Sequence, residues 1–242
     1  MKKLFIKQPA GLGDICFLQK LATQEQKKHG YEVWWPVVSV YSYLPQYITN
    51  FNYPSLEDDF PFKEAYMRCP LNSQAETDDF KIICTDGASG PNGLMKAKYE
   101  LAGNSWENWQ QFFSFNRNKD KENALYYDIL RLKDSDKYIF VNNFVGTAPN
   151  NITMVDLTPS EPALQVVYLE MFADFSLFDW CKVVENASEI YIEGSALTYL
   201  CEKLNLSATK LHLFSRNHHA IDGLFKKPWE KKYSNQTCMK DL

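Results

Sequence analysis

The sequence predicts an α/β protein built from two doubly wound halves, each with a parallel sheet at its centre. Three observations carry this expectation. Short apolar runs alternate with longer amphipathic ones, the pattern of strands joined by crossover helices. The alternation occurs once near the N-terminus and again from residue 138 onward. Between the two lies a polar and aromatic stretch, so a boundary is expected between residues 118 and 136.

The elements follow in order. Leu4-Phe5-Ile6 reads as a short buried strand, and "KQPAGLGDICFLQKL" as a glycine turn opening a helix. Ile15, Leu18, Leu21 and Ala22 form the apolar stripe of that helix, and Gly30 is a natural stop. "YEVWWPVVSV" is β-branched and aromatic, hence a second strand. Pro45, Pro54, Pro61 and Pro70 break the next section into loops and short helices. Phe80 to Cys84 is a buried strand running into the glycine-rich loop Asp86 to Gly93. In "KENALYYDILRL" one helical face is expected to carry Ala124, Leu125, Ile129 and Leu132. The second alternation gives strands in "KYIFVNN", "LQVVYLEM", "SEIYIEG" and "TKLHLFSR", with helices in "FSLFDWCKVVENA" and "SALTYLCEKLNL". The expected organisation is a domain over 1–118, a second over 119–216, and a polar tail over 217–242.

Composition narrows the function classes. The chain has 242 residues, 45% of them hydrophobic, which is ample for a core. A net charge of −4 gives no basic field, so nucleic acid is not an expected partner. The six cysteines show no paired ligand spacing and read as reduced packing thiols; His218-His219 lacks a third ligand, and no metal is expected. No stretch approaches the ~20 apolar residues of a membrane span, and none reads as a signal peptide. The expected setting is soluble and cytoplasmic.

Candidate sites fall beyond the carboxyl ends of strands, where parallel sheets bind ligands. Gly11 and Gly13 let backbone approach a ligand, but Cys16 stands where a dinucleotide fingerprint needs a small residue, which argues against a nicotinamide cofactor. Asp14 has two readings at this stage: a carboxylate that accepts a hydroxyl proton, or a favourable charge at a helix start worth about 0.3–1 kcal/mol. Ser195 likewise either caps the helix that it opens or, with Gly194, Ala196 and Thr198, contributes amides and hydroxyls to a phosphate site.

"GLGDICFLQKL" together with "VVENASEIYIEGSALTYLCEKL" resembles the two ends of a heptosyltransferase-like glycosyltransferase of the GT-B type, in which two Rossmann-like halves face a cleft. The abbreviated members found in phages and large viruses are the most similar in form. The resemblance implies that Asp14 is the catalytic base in a GxGD turn and that Ser195, Ala196, Leu197 and Leu200 belong to a run beside the nucleotide-sugar phosphates. The sequence departs from that pattern at Gly194, where an acid is usual and Glu193 stands one place earlier, and at Tyr199, where His is usual. "FVGTAPNNITM" also lacks the phosphate-contacting lysine.

The resulting expectation is metal-independent transfer of a sugar from a nucleotide-sugar donor to a carbohydrate or glycoconjugate acceptor, with no cofactor beyond the donor. Arg216 or a lysine would help to neutralise the departing diphosphate. Asp86, Lys96, Lys98, Arg117 and Glu122 are further candidates for the cleft, each with a rival reading as a solvated face or, for Arg117 and Glu122, a structural pair. Two other functions fit the architecture: a non-catalytic glycan- or nucleotide-binding or structural module, and a different phosphate-handling α/β enzyme.

Overall fold

The computed structural model describes residues 1–90, 93–142, 164–215 and 223–233, and the chain divides into two compact units, Met1–Asn116 and Arg117–Leu242. The first contains β1 (Lys3–Lys7), α1 (Leu12–His29), β2 (Glu32–Trp34), α2 (Leu44–Tyr47), α3 (Lys63–Arg68), β3 (Ser73–Glu76), β4 (Phe80–Cys84) and α4 (Leu94–Leu101). Its sheet order is β2-β1-β4-β3. Leu4, Phe5 and Ile6 are all fully buried, as a continuous apolar run covered on both faces must be. Phe5 packs on one face with Phe60, Tyr66, Cys69, Ile82 and Cys84.

One edge departs from the expected all-parallel arrangement: β3 runs antiparallel to β4. The connection between them, 77–79, is far too short for a crossover, so it closes a hairpin in which the Thr77 N–H donates to Phe80 O at 2.8 Å. The sequence Ser-Gln-Ala-Glu is too polar to announce a strand, yet its polarity suits an edge.

The second unit begins with α5 (Lys119–Asn123), which widens into a π-helical turn over Ala124–Ile129. It continues with β5 (Tyr138–Asn142), β6 (Gln165–Tyr168), a 3₁₀ turn (Leu177–Trp180), α6 (Cys181–Asn186), β7 (Glu189–Glu193), α7 (Ala196–Cys201), β8 (Lys210–Ser215) and β9 (Glu230–Tyr233). The strands order as β6-β5-β7-β8-β9, each parallel to its neighbours. Phe140, Ile190, Leu211, Ile192 and Leu213 share one face by register. The α6 segment is tied to this sheet where the Tyr138 hydroxyl donates to Val183 O at 2.6 Å.

Two expectations change here. The π turn, marked by Leu130 N–H donating to Leu125 O, advances the helix out of phase with a 3.6-residue repeat. Leu125 and Leu132 are therefore buried while Ile129 is 46% exposed, and the single apolar face does not form. The region expected as a polar tail contributes β9, anchored by buried Leu224, Phe225 and Trp229. Trp229 donates its indole N–H to Glu202 at 3.0 Å. Its charged Glu-Lys-Lys run hid the strand, although charge is common at a sheet edge.

Cys16, Cys69, Cys84, Cys181 and Cys201 are buried free thiols. Among the described residues no helix is long and apolar enough to cross a membrane.

Candidate functional site

In the first unit the strand order reverses at β1, with β2 on one side and β4 on the other; loops leaving such strands open a crevice at their carboxyl ends. The last registered pair of β1 and β4 is Lys7 with Cys84. Gln8 and Thr85 lie one residue beyond it, both buried, and the Thr85 hydroxyl donates to Gln8 Oε1 at 3.1 Å. Gln8 is fixed at its other polar atoms as well. Its Nε2 donates to Ala10 O at 2.7 Å, and its carbonyl accepts the Trp35 indole N–H at 3.0 Å.

Gly11 follows with φ 85, a left-handed conformation that L side chains adopt at a cost, and it caps α1. Asp14, in the first turn, folds its carboxylate back over this glycine: a Cβ added at Gly11 would stand 2.2 Å from Asp14 Oδ2. Gly13 is half-buried within the same turn. The other oxygen, Oδ1, lies 2.6 Å from Lys98 Nζ. Lys98 also donates to Gln8 Oε1 at 2.6 Å and is almost wholly buried, whereas 21% of the Asp14 side chain remains exposed. Burial pushes the Asp14 carboxyl above the usual carboxylate range; the Lys98 charge and hydrogen bond oppose that rise, and nearby Asp86 adds to it.

Lys98 reaches this position because α4 is pinned to α1 one residue further on. The Tyr99 hydroxyl donates to Phe17 O at 2.6 Å, and the two rings meet edge to face at 4.9 Å. Lys98 is therefore no part of a solvated face. Lys96 points elsewhere, over the Trp106 ring at 4.9 Å. Asp86 is half-buried in the loop after β4, and its carbonyl accepts the Asn72 N–H at 2.8 Å.

In the second unit the order reverses at β5, between β6 and β7. Asn142 ends β5 and donates to Ser195 Oγ at 2.9 Å, joining the two strand ends. The Ser195 N–H donates to Thr198 Oγ1 at 3.3 Å, part of a capping box that starts α7. The Gly194 N–H donates to Phe214 O at 2.8 Å and the Thr198 N–H to Ser195 O at 3.1 Å. Thr198 is buried, and Ala196 and Ser195 are half-buried. Glu193, also buried, closes β7 immediately before them. Arg216 lies outside the described residues.

Arg117 and Glu122 form the structural pair. Arg117 donates to both carboxylate oxygens of the fully buried Glu122, through Nε at 2.6 Å, and to Glu185 Oε2 at 2.7 Å. These contacts hold α5 to α6, and the guanidinium has no part in the strand-end clusters. Among the described residues no three His, Cys, Asp or Glu side chains gather as a metal site.

Gln8, Thr85 and Asn142 were missed from the sequence. The available signal was their place at or next to the last residue of a parallel strand, where a polar side chain interrupts an apolar run.

No protein-family model and no curated protein matches the sequence. Among solved structures, the chain is similar to a glycosyl transferase family 9 protein from Veillonella parvula DSM 2008, with a TM-score of 0.56 and 8% identity. The likeness covers 96% of this chain and 87% of that one. At that identity it establishes a shared fold, the GT-B-like α/β architecture.

Proposed function

We propose that the protein is a glycosyltransferase that moves a sugar from a nucleotide-sugar donor to a hydroxyl of a carbohydrate or glycoconjugate acceptor, without a metal ion. The observation that supports this most is Asp14: a carboxylate held beside a strand-order reversal, partnered on one oxygen and still partly open to solvent. In the proposed reaction the acceptor oxygen bonds to the anomeric carbon as its proton passes to Asp14. The bond from that carbon to the diphosphate breaks, and its electron pair leaves with the nucleoside diphosphate. Gly11 leaves room for the Asp14 carboxylate, and Gly13 lets backbone approach the ligand. A donor phosphate would replace the capping contacts around Gly194, Ser195, Ala196 and Thr198, with Arg216 supplying charge.

The test joins binding to turnover. Nucleoside diphosphates are expected to raise the melting temperature equally with and without a chelator, since a ligand of the native state stabilises it by mass action. Asp14→Asn is expected to keep that binding and lower transfer by about 10²–10⁴. Strict metal dependence, or transfer unaffected by Asp14→Asn, refutes the mechanism. A second reading, a non-catalytic binding module, draws on the Asp14–Lys98 ion pair, because a carboxylate neutralised by an ammonium also serves simply to close a turn. Tight nucleotide binding without transfer across a broad acceptor panel would select it.

A further inference from the structure

Lys98 offers more than a neutral partner for a buried acid. Its ammonium sits between two acceptors, Asp14 Oδ1 and Gln8 Oε1, each at 2.6 Å. The Gln8 acceptor is itself oriented by Thr85 and by the Nε2 bond to Ala10. On the opposite side of the carboxylate, the missing Cβ of Gly11 leaves room for Oδ2. The carboxylate is thus held at one oxygen and accommodated at the other, with residues just beyond β1 and β4 and from α1 and α4 all contributing to one orientation.

We propose that Lys98 is a positioning residue that fixes the direction and the charge of Asp14, with Gln8 and Thr85 holding the ammonium in place. The catalytic consequence rests on the reading of Asp14 as the base; the coupling of the two side chains does not. The physical need is plain. A carboxylate removed from water tends to hold its proton, and a protonated acid cannot accept another. The charged groups facing Asp14 are Lys98 from α4 and Asp86 from the loop after β4; Cys16, on α1, has its thiol pushed far up by burial and stays neutral. Lys98 is therefore the one group among these that favours the ionised carboxylate.

The experiment follows the Asp14 carboxyl by carbon-detected NMR over pH, with Asp14→Asn supplying the assignment. In Lys98→Met the Asp14 midpoint is expected to move up by about one to two pH units. An unchanged midpoint in the folded variant overturns the proposal. A parallel cycle of Asp14→Asn, Lys98→Met and the double variant guards against loss of folding. The Lys98→Met defect is expected to grow as pH rises, and the double variant to regain stability at neutral pH. A defect independent of pH and unrelieved by Asp14→Asn overturns the coupling even where Lys98→Met alone cannot be titrated. If the wild type transfers sugar, the acid limb of its kcat/KM profile is expected to shift upward in Lys98→Met in step with the NMR midpoint. An NMR shift without any wild-type transfer removes the glycosyltransferase reading and leaves the positioning role standing.

Discussion

Replacing Gly11 with alanine tests the geometry of the Asp14 turn through stability alone. The backbone at Gly11 has φ 85, and an L residue forced into the left-handed region costs about 1–2 kcal/mol. The new Cβ would stand 2.2 Å from Asp14 Oδ2, so the carboxylate must swing away. That movement breaks the ion pair of Oδ1 with Lys98, a charge-assisted contact worth about 1.5–3 kcal/mol. Gly11→Ala is therefore expected to cost about 2.5–5 kcal/mol. Gly30, at the other end of the same helix, is the internal control. It has φ 69 with nothing within 4 Å of an added Cβ, so Gly30→Ala should show the backbone cost alone, about 1–2 kcal/mol. The assay is urea unfolding of both variants at pH 7, repeated in an Asp14→Ala background. The excess cost of Gly11→Ala should vanish there, because no carboxylate remains to displace. Equal costs for the two glycines in the wild-type background would refute the placement of Asp14 over Gly11.

Further predictions concern two buried ion-pair clusters away from the strand ends, and Gly194. Arg117→Met leaves the fully buried Glu122 without its bidentate partner and is expected to destabilise the protein by about 3–5 kcal/mol, read by denaturant unfolding. A loss below about 1 kcal/mol would mean that the pair behaves as an exposed one. Glu25 is drawn up by burial, but Lys81 at 2.7 Å and Asn104 at 3.2 Å outweigh this and hold its pKa below the ordinary value of 4.5. A lowered acid contributes stability above its unfolded pKa and loses it as pH falls through the folded one. The stability gap between wild type and Glu25→Gln should accordingly be widest near neutrality and shrink below about pH 4.5; a gap constant over pH 3–7 would contradict this. At Gly194 an added Cβ would meet only Phe214 O at 3.6 Å, an ordinary contact, so Gly194→Ala should leave the melting temperature nearly unchanged, and a marked drop would contradict the space described there.

The sequence by itself determined the parallel strands and their crossovers, apart from the edge strands β3 and β9. Leu4-Phe5-Ile6, Ile82-Ile83-Cys84 and Tyr138 to Val141 are continuous apolar runs, and such runs can be satisfied only inside a sheet covered on both faces. It also located Asp14 and Ser195 at strand-to-helix turns, because glycine and serine at such points have few other uses. What it could not determine was the partner of each polar side chain. In sequence Lys98 and Lys96, two places apart, are cleft candidates on equal terms, each with a solvated face as the rival reading. Only the packing of Tyr99 on Phe17 turns one lysine inward to Asp14 while the other covers Trp106. The π turn after Asn123 and the charged strand β9 were hidden for a related reason. Their local patterns favour a regular helix and a solvated tail, and the buried surfaces of Tyr126, Trp229 and Phe225 override them. Local preference is written along the chain, whereas the neighbour that pairs with a buried charge comes from residues 84 positions away, and only the closed fold brings them together.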